Sequence, residues 1–490
     1  MLNSNSAQYK DLEKFSVNFS IFWERHKTFF VALGLCSIYW IYLIFNSNMA
    51  VMFDALDYEG IGRSIYEHGW PEYFRNGPQR EPFYPWTIAV SMDIAGRLGI
   101  SYLFIQRILQ VISLFITQVF LYILLGKLNI SPGIKLGTLL YFGFSPGLVN
   151  AAMSLFSEIM IFPSVPLFLL AIVWAWRNIL HNEKINAVWV GVVVALTFLL
   201  AIFNKGIFQY VFLAILMPFG IVCLGAFLKR KKKVFVNSLI FLITAFVIVQ
   251  TGVNSFKWMN KKYNGHFEFT NRYTHLLFGN AYKRSRPLTS EIFWSQVTSI
   301  PGAGVCRRFF NEERCRYADF YGADYFRGEA LAELITDVPK EKKDAEILRL
   351  TFKEIFEHPF QYIFFMGLEF PKMLFWESTQ IGFVEYPLWL QKLFVSRLFK
   401  DGIRLVVSLM TIFSLIFVLI HIYQHRSQLG DSTFQGQEIQ ICFFAFLIIF
   451  IYAGLYSFFS IVTRYALPLG SLYVMCIAYT FSKIFSRGNI

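Results

Sequence analysis

Charge and cysteine are both scarce in this sequence. Of its 490 residues only 16% are Asp, Glu, Lys or Arg while 56% are hydrophobic, which leaves several runs long enough to cross a bilayer, at about 20 apolar residues each. Those runs do not alternate. VWVGVVVALTFLLAIF, residues 188–203, has no two-residue period, which excludes a β-barrel built of roughly 10-residue alternating segments. There are six cysteines. Cys36, Cys223, Cys442 and Cys476 sit in apolar runs, where the residue serves as a small hydrophobe. Cys306 and Cys315, in GVCRRFFNEERCRY, are the two in a hydrophilic region, and a disulfide between them would fit an oxidising compartment. No CxxC or HExxH pattern occurs, so a dedicated zinc site is not expected. Internal repeats, low-complexity tracts and a Gly-rich phosphate loop are also missing, and the lack of repeated halves argues against many transporter folds.

What is present is a polytopic, all-α membrane pattern. The net charge of +13 comes from basic residues beside apolar runs, which the positive-inside bias explains without nucleic acid. LKRKKK at 228–233 is the strongest cluster; Lys127 with Lys135, His181 with Lys184, and His421 with His425 and Arg426 mark three more turns on the same, cytoplasmic side. Anchored there, the pattern predicts ten spans near 28–46, 102–126, 134–150, 152–177, 186–203, 207–228, 234–253, 402–423, 437–459 and 462–483. The segments 83–98, 359–375 and 386–398 are apolar but short or interrupted, and read as helices lying along the outer face. If two of them cross, the count is twelve. The chain then divides into a cytoplasmic tail at 1–27, too long and charged for a simple cleavable signal, and a first membrane module at 28–253 that includes an outer loop at 47–101. An outer region at 254–401 and C-terminal spans with a short tail at 402–490 complete it. Within the outer region Glu341 to Phe356 has helical apolar spacing.

Directly after the first apolar run stands FDALDYEGIGRSIYEHGW, residues 53–70. If it is helical, Asp54, Asp57 and Tyr58 fall at i, i+3 and i+4 on one face. That face is either an interfacial helix with its acids in water or a site that gathers two carboxylates and a phenol. The next stretch is GPQREPFYPWTIAV, 77–90, with Arg80, Tyr84 and two prolines ahead of an apolar helix. Further on come FSPGLVNAAMSLFSEIMIF (144–162), VALTFLLAIFNKG (194–206) and TRYALPLGSLYV (463–474). In order and placement these segments resemble the GT-C membrane glycosyltransferases, specifically the branch with protein O-mannosyltransferases and lipid A aminoarabinose transferases. The likeness covers residues 28–230 and 437–485 and is weak between 254 and 400. Lys205-Gly206 stands where that family more often has Arg-Pro.

The resemblance implies a GT-C-like bundle of about ten to twelve helices and a sugar donor carried on a polyprenyl or dolichyl phosphate. The acceptor, a lipid, glycan or protein, would attack the anomeric carbon with inversion at the outer face. It implies Asp54 as the base, with Asp57 second, and Arg464, Lys205 and Arg80 around the lipid phosphate. Tyr58, Tyr84, Tyr465 and Glu158 would complete the substrate site, and His275 and Tyr273 would touch the acceptor. Glu158 and Arg464 each have a plain structural alternative, an intramembrane ion pair and a snorkelling side chain. No cofactor is certain; a divalent metal stays open because some relatives by fold use one and others do not. The terminus FSRGNI carries no retention signal, and a bacterial inner membrane is favoured over endoplasmic reticulum. Two other classes stay in view: a transporter or lipid-linked-glycan flippase, and an O-antigen ligase or polymerase.

Overall fold

The computed structural model describes residues 4–77, 80–181, 186–270, 272–318, 335, 338, 340–377, 383–459, 461 and 463–487. Helix α1 (Ser4–Asn46) is followed by the short α2 (Asp54–His68) and α3 (Trp70–Arg75) and by α4 (Phe83–Leu98). Then come α5 (Tyr102–Lys127), α6 (Pro132–Phe144), α7 (Pro146–Met153), α8 (Glu158–Ile161), α9 (Ser164–His181), α10 (Ala187–Asn204), α11 (Phe208–Leu228) and α12 (Lys232–Asn264). Among the described residues nine stretches are long and apolar enough to cross a membrane: His26–Asn46 of α1, α5, α8 with α9, α10, α11, α12, Arg397–Gln424, Phe434–Phe459 and Thr463–Phe485. The protein is an all-α, multi-pass membrane protein.

The count differs from ten at one place. The expected span 134–150 is α6 and α7, broken at Pro146, and the expected span 152–177 is interrupted between Met153 and Glu158 and again before Ser164. Proline has no N–H to continue a helix, and it drives the preceding residue into extended backbone. Ser145 accordingly has φ −53° and ψ 120°. Helix α6 alone, with 13 residues, reaches about 20 Å, short of the roughly 30 Å hydrocarbon core.

Broken backbone at membrane depth is tolerated only where other groups satisfy it. Two side chains do so here. Gln110 Nε2 of α5 donates to Ala152 O and Ser154 O, both at 2.8 Å. The buried Glu377 carboxylate accepts from Tyr141 Oη at 2.5 Å, Ser145 Oγ at 2.8 Å and Gly147 N at 2.6 Å. Glu377 comes from the 254–401 region, and Arg404 Nε holds its backbone oxygen at 3.1 Å.

The three interfacial segments are helical. Residues 83–98 are α4; 359–375 becomes Pro359–Glu369 with a 3-10 turn at Phe370–Leu374; 386–398 becomes Leu388–Val395, after which Arg397 already starts the next helix. The expected loop boundary at 254 falls inside α12, which runs unbroken to Asn264. The helix read from Glu341 to Phe356 spans Lys340–Glu357. Cys306 and Cys315 form a disulfide. Strands β1 (Asn48–Met49) and β2 (Val384–Glu385) pair antiparallel and tie the end of α1 to the 254–401 region.

Helix α4 is bolted to α5 by polar side chains. Tyr84 Oη donates to Gln110 Oε1 at 2.9 Å, and Ser91 Oγ to Gln106 Oε1 at 2.7 Å. Helix α2 lies against α4 through Gly62: a Cβ there would stand 2.6 Å from Ile88 Cγ2 and 3.2 Å from the Pro85 carbonyl. Two positions within one turn of the same helix thus carry opposite expectations. Gly62→Ala should destabilise the protein by about 1–3 kcal/mol through overpacking. At Gly60 a Cβ meets nothing within 4 Å, so Gly60→Ala should stabilise it by about 0.5–1 kcal/mol through helix propensity. Thermal unfolding of the purified variants in detergent checks both, and equal shifts at the two positions would contradict the close α2–α4 contact.

Candidate active site

Helix α2 begins abruptly. Phe53 takes φ 51°, a left-handed conformation rare for a bulky residue, and places Asp54 in the first helical turn, where the helix dipole favours a carboxylate. The adjoining cavity, ≈ 370 Å³, is lined by Asp54, Tyr58, Arg80, Glu158, Lys205, Arg464 and Tyr465 among others. Seven of the eleven side chains singled out in the sequence therefore converge on one cavity from five separate segments.

Their charges alternate. Arg80 Nη2 donates to Asp57 Oδ2 and Asp54 Oδ1, each at 2.8 Å, and the other Asp54 oxygen accepts from Arg464 Nη2. Arg464 Nε stands 3.9 Å from Glu158 Oε1, which accepts from Lys205 Nζ at 3.0 Å. The order is Asp57, Arg80, Asp54, Arg464, Glu158, Lys205: three acids and three bases. Arg80, with its side chain 5% exposed, is the buried link between the two aspartates. Tyrosine and phenylalanine faces support the cations: Arg80 lies 4.5 Å from the Tyr58 ring centroid, Arg464 4.7 Å from Phe156, and Lys205 5.1 Å from Tyr465. Tyr58 Oη shares a 2.9 Å hydrogen bond with Ser157 Oγ.

Burial pushes the Asp54 carboxyl up, but Arg464 and Arg80 pull it further down, and it rests below the ordinary aspartate value. Burial raises the Tyr58 phenol, which stays a neutral hydroxyl. Arg464 Nε is buried with no hydrogen-bond partner among the described residues, so it retains a donor for an anion.

Two expected residues are placed differently. Asp57 does not line the cavity; its side chain is 60% exposed and borders a separate recess of ≈ 310 Å³ with Gly60, Ser64 and Tyr73. Tyr84 is fully buried behind Tyr58, whose ring it meets edge-on at 4.9 Å, and acts on the site only through that contact and Gln110. The side chains of Tyr273 and His275 lie outside the described residues.

Several lining residues carry no mark in the sequence. Glu81, beside Arg80, accepts from Gly206 N at 3.0 Å and so fixes the turn that presents Lys205. Glu268 reaches the cavity from the segment after α12, held by Asn260 Nδ2 on the Glu268 carbonyl at 2.7 Å. Glu268 Oε2 is buried without a partner, and burial, followed by nearby Asp344, raises its carboxyl. Its one sequence signal is an acid between two aromatics in HFEFT.

The carboxylates do not form a metal-donor set. Asp54 and Asp57 converge on Arg80, and among the described residues no group of three or more His, Cys, Asp or Glu is placed to hold a metal ion. No chemical step is assigned to a metal here.

Glu158 and Lys205 are both buried, and removing one partner leaves the other as an isolated charge. Glu158→Gln should cost about 3–5 kcal/mol, while Glu158→Gln with Lys205→Met should recover much of that. Unfolding midpoints of the single and double variants in detergent test the coupling; additive losses would mean that the pair is independent of stability.

No protein-family model and no curated protein matches the chain.

Proposed function

We propose that this protein is a GT-C-type membrane glycosyltransferase, moving a sugar from a polyprenyl-phosphate donor to a lipid, glycan or protein acceptor at the outer face of a bacterial inner membrane. One observation carries the reading: an aspartate held between Arg80 and Arg464 on the wall of a cavity that Glu158 and Lys205 also line. Such a site offers both a proton acceptor and an anion-binding guanidinium within one hydrogen bond of each other.

The reaction is a substitution at the anomeric carbon. The acceptor oxygen or nitrogen forms the new bond as the bond to the lipid phosphate breaks, the electron pair leaves on the phosphate oxygen, and the acceptor proton passes to Asp54. Arg464, with Lys205 beyond Glu158, lies where it would meet the growing phosphate charge. Its planar fork suits phosphate in a way a lysine does not.

The two roles are coupled. Without donor, Arg464 and Arg80 hold Asp54 ionised but weakly basic. A bound phosphate competes for Arg464, and as that cation turns to it Asp54 becomes the stronger base. Basicity thus rises only after the donor is in place.

Orientation has support in the helix ends. Lys205-Gly206 precedes α11, and LKRKKK follows it 21 residues later, about 30 Å away along the helix. The site and the strongest basic cluster are at opposite ends of one span, as an outward-facing site requires. The break from α6 to α9 is the one feature that favours a transporter. Its free backbone groups at Gly147, Ala152 and Ser154 are already bonded to Glu377 and Gln110 rather than open to a substrate.

Single cysteines at the exposed positions Leu288 and Lys231 test the orientation. A membrane-impermeant thiol reagent applied to intact cells should label Leu288→Cys and spare Lys231→Cys; the reverse pattern would turn the site inward.

The chemistry is tested by transfer from a polyprenyl-phosphate sugar to an acceptor extract, at matched membrane levels. Asp54→Asn should lower transfer by about 10²- to 10⁴-fold without weakening donor binding. Arg464→Ala should lose donor use, and Arg464→Lys should restore part of it. The free-enzyme base has a depressed pKa, so kcat/KM should fall only as pH drops below the ordinary aspartate range. The acid limb of kcat should lie at higher pH, because the donor removes Arg464 from Asp54. Normal transfer by both Asp54→Asn and Arg464→Ala would sink the reading.

A further inference from the structure

At the end of the bundle opposite Asp54, a second cavity of ≈ 630 Å³ opens between α5, α9 and the start of Phe434–Phe459. On α9 the lining residues Leu170, Val173, Trp174, Arg177 and His181 recur at helical spacing and form one face. That face is apolar toward the middle of the span and basic at its end. Helix α5 repeats the order with Ile123 and, one turn on, Lys127. Three basic side chains from two helices thus ring the head of the cavity, and no carboxylate lines it among the described residues. Arg177 Nη2 is anchored on Ser432 O at 2.8 Å, which fixes the guanidinium at the cavity edge.

Positive-inside bias accounts for basic residues at this end, but it does not require them to share a cavity, nor to stand at the head of an apolar wall. We propose that the cavity binds one anionic phospholipid, its phosphate on Arg177, Lys127 and His181 and an acyl chain along Leu170, Trp174 and Ile123. The charge at the head calls for an anion. The wall from Leu170 to His181, about 16 Å of helix, calls for a chain attached to that anion, and inorganic phosphate has none. Tryptophan at this depth suits the boundary between headgroups and acyl chains. The site is separate from the Asp54 cavity and does not depend on the proposed reaction.

The test uses the purified full-length protein in detergent. Native mass spectrometry measures adducts with phosphatidylglycerol and with phosphatidylcholine of identical chains, with inorganic phosphate as a competitor. The wild-type protein should bind one phosphatidylglycerol in preference to phosphatidylcholine, and millimolar phosphate should not displace it. Lys127→Gln, Arg177→Gln and His181→Gln should each weaken phosphatidylglycerol binding by roughly fivefold, as for a basic group at an anionic lipid. Neutralising Lys229, Lys232 and Lys233 instead should leave that adduct unchanged. Lys127 is exposed, so its variant keeps the test valid if Arg177→Gln fails to fold. Equal retention of the two lipids, displacement by phosphate, or full binding in the Lys127 and His181 variants would overturn the proposal.

Discussion

Irregular backbone and charge at membrane depth must find partners inside the protein, because hydrocarbon supplies none. That constraint organises this structure. Pro146 breaks one span and the chain leaves the helix again between Met153 and Glu158, and the freed groups are claimed by Gln110 from α5 and by Glu377 from the 254–401 region. Gln110 also accepts from Tyr84, whose ring braces Tyr58. The repair of the break and the wall of the cavity are therefore one polar network, and α2 and α4 are positioned by the same contacts that make α7 and α8 tenable.

The charged site obeys the same rule by a different route. Six ionisable groups stand in alternating sign, so each buried charge has an opposite neighbour and no carboxylate pair faces another. Such pairing rarely adds much stability against an apolar replacement, since desolvation offsets attraction. What it provides is a set of charges already stripped of water and held in register. An incoming phosphate can exchange into it for a fraction of the cost of desolvating free side chains.

Much of this was legible in sequence, for physical reasons that also mark where legibility ends. Long apolar runs and basic turns locate spans because hydropathy is a local property, and the apolar segment expected at 83–98 coincides with α4. The α6–α9 break was misread because the apolar run continues through it: composition is the same on both sides of Ser145, Pro146 alone signals the first interruption, and no proline marks the second, between Met153 and Glu158. Asp54 and Arg464 are 410 positions apart, and nothing local links them; the resemblance to the GT-C family is what singled out both. Glu268 and Glu377 lie in a charged region where one more acid is unremarked. Only packing shows that one faces the cavity and that the other caps a broken helix.

The position of Arg80 gives the site its direction. It is buried, it binds Asp57 in the open recess and Asp54 at the cavity, and it is held by the Tyr58 face, so it has little freedom to leave either acid. Arg464 differs. It has an unfilled Nε, and its contact to Glu158 is long enough to yield. Of the two cations on Asp54, Arg80 is the fixed one and Arg464 the exchangeable one, and an anion entering the cavity would perturb the carboxylate from the Arg464 side alone. The asymmetry between two arginines on one aspartate turns a static ion pair into a group whose basicity responds to what occupies the cavity.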